Sequence, residues 1–328
     1  MNKYTLRNKY RINKRSNTIK KTIKKMNCSP AVKGKTVAKD TCYTPEALIK
    51  IRDAYNQAHP ENKVRAKGVK QIWSQLRDRL TDCEAEDCWL QQIKEPNVRK
   101  QLDELLFAPD QPSDWKKNPN AWLSNYDIEN VLKQYEITHK EFKLLGPSSI
   151  DYDTKLDEEG GKCVWEELCR LSLKDLRSRG KTKLGIVFNL DKHDQPGSHW
   201  VSMFVDLEES VIFYYDSALN DTPTEVTRLK EEITKQGAEL SPPIRFKYVT
   251  NKHAHQETNT ECGMYSLFFI ITFLTNEVDQ PIKKFRKIRG GDSLNKLSMQ
   301  DKISLFTERY ISDNHVEKYR NILFNPRM

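Results

Sequence analysis

The stretch QETNTECGMYSLFF, residues 256–269, decides how the chain is read. A polar run ends at Cys262, and the segment from Gly263 to Leu274 is apolar almost without interruption. A segment that is apolar all round is buried, and this one exceeds an ordinary strand, so a buried helix opening at Cys262 is predicted. The position matters chemically. A thiol is a weak nucleophile until ionised, and a helix N-terminus with a histidine nearby favours the thiolate. Gly263 removes side-chain bulk beside the sulfur and opens an approach for substrate.

A base has to come from elsewhere in the chain. LGIVFNL (184–190), HWVSMFVDL (199–207) and SVIFYYDS (210–217) have the length and composition of strands. Only Glu208 and Glu209 separate the last two, which predicts a hairpin with residue 207 opposite residue 210. That register sets His199 nearly opposite Asp216 and Ser217, at one end of the sheet. An acid there can hold the imidazole's tautomer and orientation. His193, His253 and His255 fall in turns or loops. Gln256 stands six residues before Cys262, and its amide with the Cys262 backbone N–H would serve as oxyanion donors. Taken singly, each has a bland reading: a packed histidine, a turn aspartate, a solvated glutamine. The set points to nucleophilic catalysis by a thiolate.

Around this set the chain reads as an α+β body behind a helical segment. TPEALIKIRDAYNQAH opens with Thr44 as a cap and Pro45 at the first helical position. VKQIWSQLRDRL places Val69, Ile72, Trp73, Leu76 and Leu80 on one helical face. NVRKQLDELLF is a third helix, and the proline-rich APDQPSDWKKNPN reads as a linker with a boundary near residue 113. Beyond it come NYDIENVLKQYEITH, capped by Asn125 or Asp127, and TPTEVTRLKEEITKQG, stopped by Gly237. RFKYVTN is a strand; SMQDKISLFTERYI and NHVEKYRNILF are closing helices. The expected organisation is a tail (1–39), a helical arm domain (40–112) and a catalytic domain (113–328).

Charge is unevenly placed. Residues 1–39 hold 13 Lys or Arg and no acid, while the remaining chain has 42 basic against 46 acidic residues. The tail is too poor in apolar surface to offset chain entropy, so disorder is expected there. A solvated arm, an electrostatic tether to nucleic acid, an import signal and a transit peptide all fit it. The seven cysteines are odd in number and scattered, which reads as no disulfide framework and a reducing compartment. Cys83 and Cys88, in CEAEDC, lack the spacing and histidine partners of a zinc site. No apolar run approaches the roughly 18 residues of a membrane span, no secretory leader is seen, and no metal or organic cofactor is implied.

The order His199-Trp200, Asp216, Gln256, Cys262-Gly263 resembles the SUMO-deconjugase and adenain clan of cysteine peptidases. Within the clan, HWVSMFVDL, TECGMYSLFFI, CEAEDC and LFAP followed by NYDIENVL are similar to segments of the polyprotein proteases of large DNA viruses such as African swine fever virus. The likeness spans roughly residues 80–275. It implies a mixed central β-sheet flanked by helices, with a helical arm domain in front. It implies a His199–Asp216–Cys262 triad with Gln256 as oxyanion donor. It also implies that Trp200, with Trp122 in AWLSNYDI, forms a narrow tunnel over a substrate's Gly-Gly; a helix-entry aromatic buried in the core is the other reading of Trp122. The function implied is that of a thiol protease, an endopeptidase cleaving viral structural polyproteins after Gly-containing sites during virion maturation. Such an enzyme would reside in the virion and the host cytoplasm, or alternatively the nucleus. Deconjugation of a ubiquitin-like protein is the alternative with the same chemistry. A nucleic-acid-binding virion protein with a merely recruiting peptidase-like body is the alternative of another class. Gly160-Gly161 and Gly290-Gly291 read as loop turns, with self-cleavage there as a minor reading.

Overall fold

A computed structural model describes residues 23–156, 160–278 and 297–326. The arm contains α1 (Pro45–Ala58), α2 (Val69–Arg79) and α3 (Pro96–Leu106). The Thr44 hydroxyl accepts the Ala47 N–H at the head of α1, and Pro45 takes the position where a missing N–H costs nothing. Leu48, Ile51, Ile72, Leu76, Leu102 and Leu106 share one core with Tyr43, which stacks on Trp89 at a centroid distance of 5.3 Å.

Two expectations fail in this region. The tail is not free up to residue 39. Lys24 N–H donates to the Glu84 carbonyl, Ser29 N–H to Leu106, and Ala108 N–H to Asn27. Ala31 and Val32 are buried. The few apolar residues of this segment find a ready-made surface on the arm, which composition alone does not reveal. Residues 1–22, the rest of the expected tail, lie outside the described residues. The cysteines also differ from expectation. Cys28 is bonded to Cys42, Cys83 to Cys88, and Cys163 to Cys169; Cys262 alone is free. The fold brings together partners whose spacing read as scattered, so the premise for a reducing compartment falls.

The body begins with α4 (Asn125–Thr138). Its cap is Ser124, not Asn125 or Asp127: Ser124 accepts the Asp127 N–H while Asp127 reaches back to the Ser124 N–H, a reciprocal capping box. Strand β1 (Phe142–Ser149) comes next and was not expected, because Gly146-Pro147 interrupts it; the register slips between Leu145 and Ser148 to absorb the proline. A small hairpin of β2 (Lys155–Leu156) and β3 (Lys162–Cys163) has Gly160 and Gly161 ahead of its return strand. After α5 (Glu166–Cys169) and α6 (Leu173–Ser178) come β4 (Lys183–Asn189), β5 (Trp200–Asp206) and β6 (Val211–Tyr215). Helix α7 (Thr224–Glu239) runs past Gly237 rather than stopping there. A Cβ at Gly237 would stand 2.5 Å from the Phe246 ring, so the glycine makes room for packing. Strand β7 (Lys247–Thr250), α8 (Cys262–Thr275), α9 (Met299–Glu308), α10 (Asp313–Glu317) and α11 (Arg320–Leu323) complete the chain.

One mixed sheet in the order β1-β4-β5-β6-β7 carries the body, with parallel outer pairs and an antiparallel centre. The central hairpin has the expected register: Asp206 pairs Val211 and Ser202 pairs Tyr215. Its turn manages without Gly or Asn because the Asp206 carboxylate accepts the N–H of Glu208 and Glu209, and Ser210 takes a positive φ of 56°. One face of the sheet packs on α6 and α7. The other packs on α4 and α8, where Phe204 and Phe213 meet Phe269 and Phe273. Every residue of α8 from Cys262 to Leu274 is buried. Its far end is closed by Lys302, whose ammonium donates to the Phe273 carbonyl at 2.9 Å and to the Asn276 side chain at 2.6 Å. Burial brings that lysine's pKa down to about 8.

The contact between sheet and α8 leaves no spare volume at Gly185. A Cβ there would lie 2.7 Å from the Phe142 ring and 3.1 Å from Ile270. Gly185→Ala is therefore expected to destabilise the fold by about 1–3 kcal/mol through overpacking. The urea midpoint of the variant against wild type measures it.

Candidate active site

His199 immediately precedes β5 and Asp216 immediately follows β6, so the antiparallel pairing brings them to the same sheet end. The His199 Nε2–H donates to Asp216 Oδ1 at 2.6 Å. Asp216 is 1% exposed and its carboxylate is fully engaged. Oδ1 also accepts the Ala218 N–H, and Oδ2 accepts the backbone and side-chain N–H groups of Asn220, each at 2.9 Å. Burial by itself would raise this carboxyl, but the bond to His199, its charge and the two backbone donors hold it below the usual aspartate range.

Cys262 is the imidazole's second partner. Burial pulls His199 down, yet hydrogen bonds to Asp216 and to Cys262, with the charges on both, lift it to about 9. With Nε2 committed to Asp216, Nδ1 is the nitrogen left for the sulfur. The sulfur itself stands at the first residue of α8, where unpaired backbone N–H groups favour negative charge. Acid, base and sulfur thus form one line at the sheet end, the arrangement in which a base activates an adjacent nucleophile.

Gln256 joins this line through a residue that the sequence did not single out for a role. The Ser217 hydroxyl donates to the Gln256 Oε1 at 2.7 Å, and the Ser217 carbonyl accepts the N–H of His255 and Gln256. The amide nitrogen donates to the Thr258 carbonyl. Ser217 therefore fixes which way the amide points. Asn251 was also missed. It accepts the Asp216 N–H and donates to the Asp216 carbonyl, pinning the strand end that carries the acid. Its position at the end of the strand RFKYVTN was the available signal.

The remaining expected residues fall into place differently. Trp200 is 7% exposed, and its indole N–H donates to the Leu123 carbonyl at 2.9 Å. Trp122 is 40% exposed, so its reading as a core aromatic fails. Both line a cavity of about 430 Å³ with Pro147, Asn189, His193 and Gln195. A Cβ on Gly263 would meet Leu123 at 3.1 Å and Trp200 at 3.4 Å. The glycine thus admits the protein's own Leu123 and Trp200, rather than opening an approach for substrate. Of the other histidines, His255 is buried with Nε2 donating to the Phe306 carbonyl and Nδ1 accepting the Ile311 N–H. His193 is bonded to Asp151 at 2.7 Å.

Residues 181–296 match the Ulp1 protease family, C-terminal catalytic domain. The chain is 30% identical over 223 residues to the cysteine protease of African swine fever virus, covering 63% of this chain and 79% of that protein. It belongs to the Ulp1-like family of cysteine proteases. A protein of Acanthamoeba polyphaga mimivirus named as a thiol protease is 28% identical, covering 73% of this chain and 82% of its own length. The crystal structure of the African swine fever virus protease superposes with a TM-score of 0.58 at 20% identity, over 94% of this chain and 98% of that one. The fold is therefore that of the family, as the sequence led us to expect. Family membership makes the chain a cysteine peptidase, and the reading of its body as a recruiting module alone falls.

The imidazole's environment predicts its titration. His199 sits above the ordinary histidine value of about 6.5, so its contribution to stability is fully present below that pH and is lost as pH rises through about 9. Cys262 is one of the two residues whose interaction raises it, Asp216 the other. In Cys262→Ala the His199 titration followed by NMR is expected to move down from about 9, and in Asp216→Asn further down still.

Proposed function

We propose that the chain is an endopeptidase that cleaves viral structural precursor proteins after Gly-containing, Gly-Gly-X-like sites during virion maturation. Cys262 is the nucleophile, and His199 takes its proton. Asp216 orients the imidazole and stabilises its charged form. Attack on the scissile carbonyl creates an oxyanion, met by the Cys262 backbone N–H and the Gln256 amide. The leaving amine takes the proton back from His199, and water admitted through the same base releases the acyl group from sulfur. Trp122 and Trp200 border the path of the residues before the cut, where only glycine, without a Cβ, passes closely. The observation that carries this reading is the imidazole bonded to Asp216 at 2.6 Å and raised by its interaction with Cys262, the free cysteine at the head of a buried helix. The likeness to proteases of large DNA viruses supports the peptidase chemistry and a viral setting, and the proposed site of action is the virion and the host cytoplasm.

A second reading, processing of a ubiquitin-like protein, is favoured by one observation. The equivalent protein of another African swine fever virus isolate, 30% identical to this chain, is named a SUMO-1 cysteine protease. Incubating the enzyme with viral precursors carrying Gly-Gly-X sites and with ubiquitin-like conjugates separates the two. Precursor cleavage without deconjugation is the expected result, and deconjugation alone would reverse the assignment.

Variants test the roles. Cys262→Ala is expected to abolish cleavage with an unchanged circular dichroism spectrum, and His199→Ala to be nearly as severe, since the members act as a unit. Gln256→Ala should lower kcat by about 10²-fold, and Ser217→Ala by less, because the amide remains but its orientation is lost. Persistent cleavage by Cys262→Ala would sink the mechanism. The basic N-terminus is tested separately. Removing residues 1–22 takes away eight Lys or Arg; peptide cleavage is expected to survive, while salt-sensitive binding to nucleic acid weakens sharply.

A further inference from the structure

Arg320, at the start of α11, lies outside the stretch that matches the family's catalytic domain. It is 5% exposed and forms a two-pronged ion pair with Glu261, the residue before Cys262: Nη2 to Oε1 at 2.8 Å and Nε to Oε2 at 3.1 Å. Nη1 donates to the Ala121 carbonyl at 3.0 Å and faces that of Pro119 at 3.4 Å. Nη2 also reaches the Thr260 carbonyl at 3.4 Å. The guanidinium lies over the Trp115 ring at 4.5 Å, and the Trp115 N–H donates to the same Ala121 carbonyl.

This one side chain therefore joins two parts of the candidate site. One is the segment 119–123, which carries the exposed Trp122 and whose Leu123 carbonyl holds the Trp200 ring. The other is the pair of residues leading into Cys262. Stability does not account for the arrangement, because a buried ion pair is commonly no more stabilising than apolar residues of the same volume. A planar fork with fixed donors does account for it, since it sets the geometry of everything it touches. Glu261 supplies the second reason. It is 2% exposed, and a bare carboxylate next to Cys262 would oppose negative charge on the sulfur.

We propose that Arg320 is a positioning residue for the peptidase reaction. It sets the Trp122 segment in register with Cys262 and neutralises the carboxylate adjoining the nucleophile. The proposal rests on the reading of Cys262 as nucleophile, and the test separates the two.

The test uses the full chain without reductant, so that Cys262 is the free thiol left to react with iodoacetamide. Alkylation rate, and kcat and KM on a Gly-Gly-X peptide, are measured at matched folded fraction for Arg320→Met, Glu261→Gln and the double variant. Arg320→Met is expected to slow alkylation by about tenfold or more, the scale of one charged hydrogen bond, and to raise the peptide KM by a similar factor. The double variant is expected to regain the wild-type alkylation rate to within about threefold, since the opposing charge is gone. Its KM should stay raised, because the Pro119 and Ala121 carbonyls still lack their donor. A double variant that alkylates as slowly as Arg320→Met, or a KM unmoved in both, overturns the proposal. Should Arg320→Met fail to fold, Glu261→Gln carries the test: it removes the carboxylate and keeps the positive charge, so alkylation should be faster than wild type, and an equal or slower rate overturns the idea. Cys262→Ala is the control. If it still cleaves, the nucleophile reading fails whatever Arg320 does.

Discussion

A helix buried on every side is the constraint on which the rest of this structure depends. From Cys262 to Leu274 every residue of α8 is buried, so the unpaired backbone groups at its ends need partners from the protein. The far end is answered by Lys302, a cation placed where carbonyls accumulate. The near end is left to chemistry. Its first residue is the free cysteine, and the sheet end formed by β5 and β6 delivers His199 and Asp216 to it. Core packing and catalytic geometry are thus one problem. The aromatic contacts that hold α8 against β5 and β6 also hold the sulfur against the imidazole.

The site is a chain of hydrogen bonds in which each member is fixed by another outside the reacting set. Asn251 holds the backbone of Asp216, Asn220 and Ala218 saturate its carboxylate, and Ser217 turns the Gln256 amide. The result is a carboxylate that stays ionised although buried, and an imidazole that stays charged although buried. Burial of either group alone would neutralise it. Their mutual contact, with the thiol as third partner, reverses that tendency.

The arm and both ends of the described chain are stitched to this body. Asn27 bonds the backbone near residue 324 from one direction while Asn325 bonds Asn27 and Ala108 from the other. Six of the seven cysteines are spent on local crosslinks, four of them in the N-terminal segment and arm. The C-terminal helices, which carry no motif of their own, supply Arg320 and Asp313 to the vicinity of residues 257–261.

Much of the site was legible along the chain because its reactive groups lie at the ends of strongly patterned elements. The strand HWVSMFVDL, the strand SVIFYYDS and the buried helix each announce their own first or last residue, and hairpin register then places His199 against Asp216. The helical caps and the arm's apolar stripe come from the same local rules. What local pattern could not supply was anything decided by contacts between distant segments. Strand β1 was hidden by its Gly-Pro, since its place beside β4 outweighs the proline's local cost. The tail's inner half was hidden by its charge, since only the arm's surface makes its few apolar residues count. The cysteine pairs, the role of Gly263 and the grip of Arg320 on Glu261 all depend on which backbone approaches which. Periodicity and local chemistry determine what each element is and which residues stand at its ends. Only the tertiary structure decides which ends meet, because the energy of a buried charge, a missing Cβ or a disulfide belongs to the pair and not to either residue.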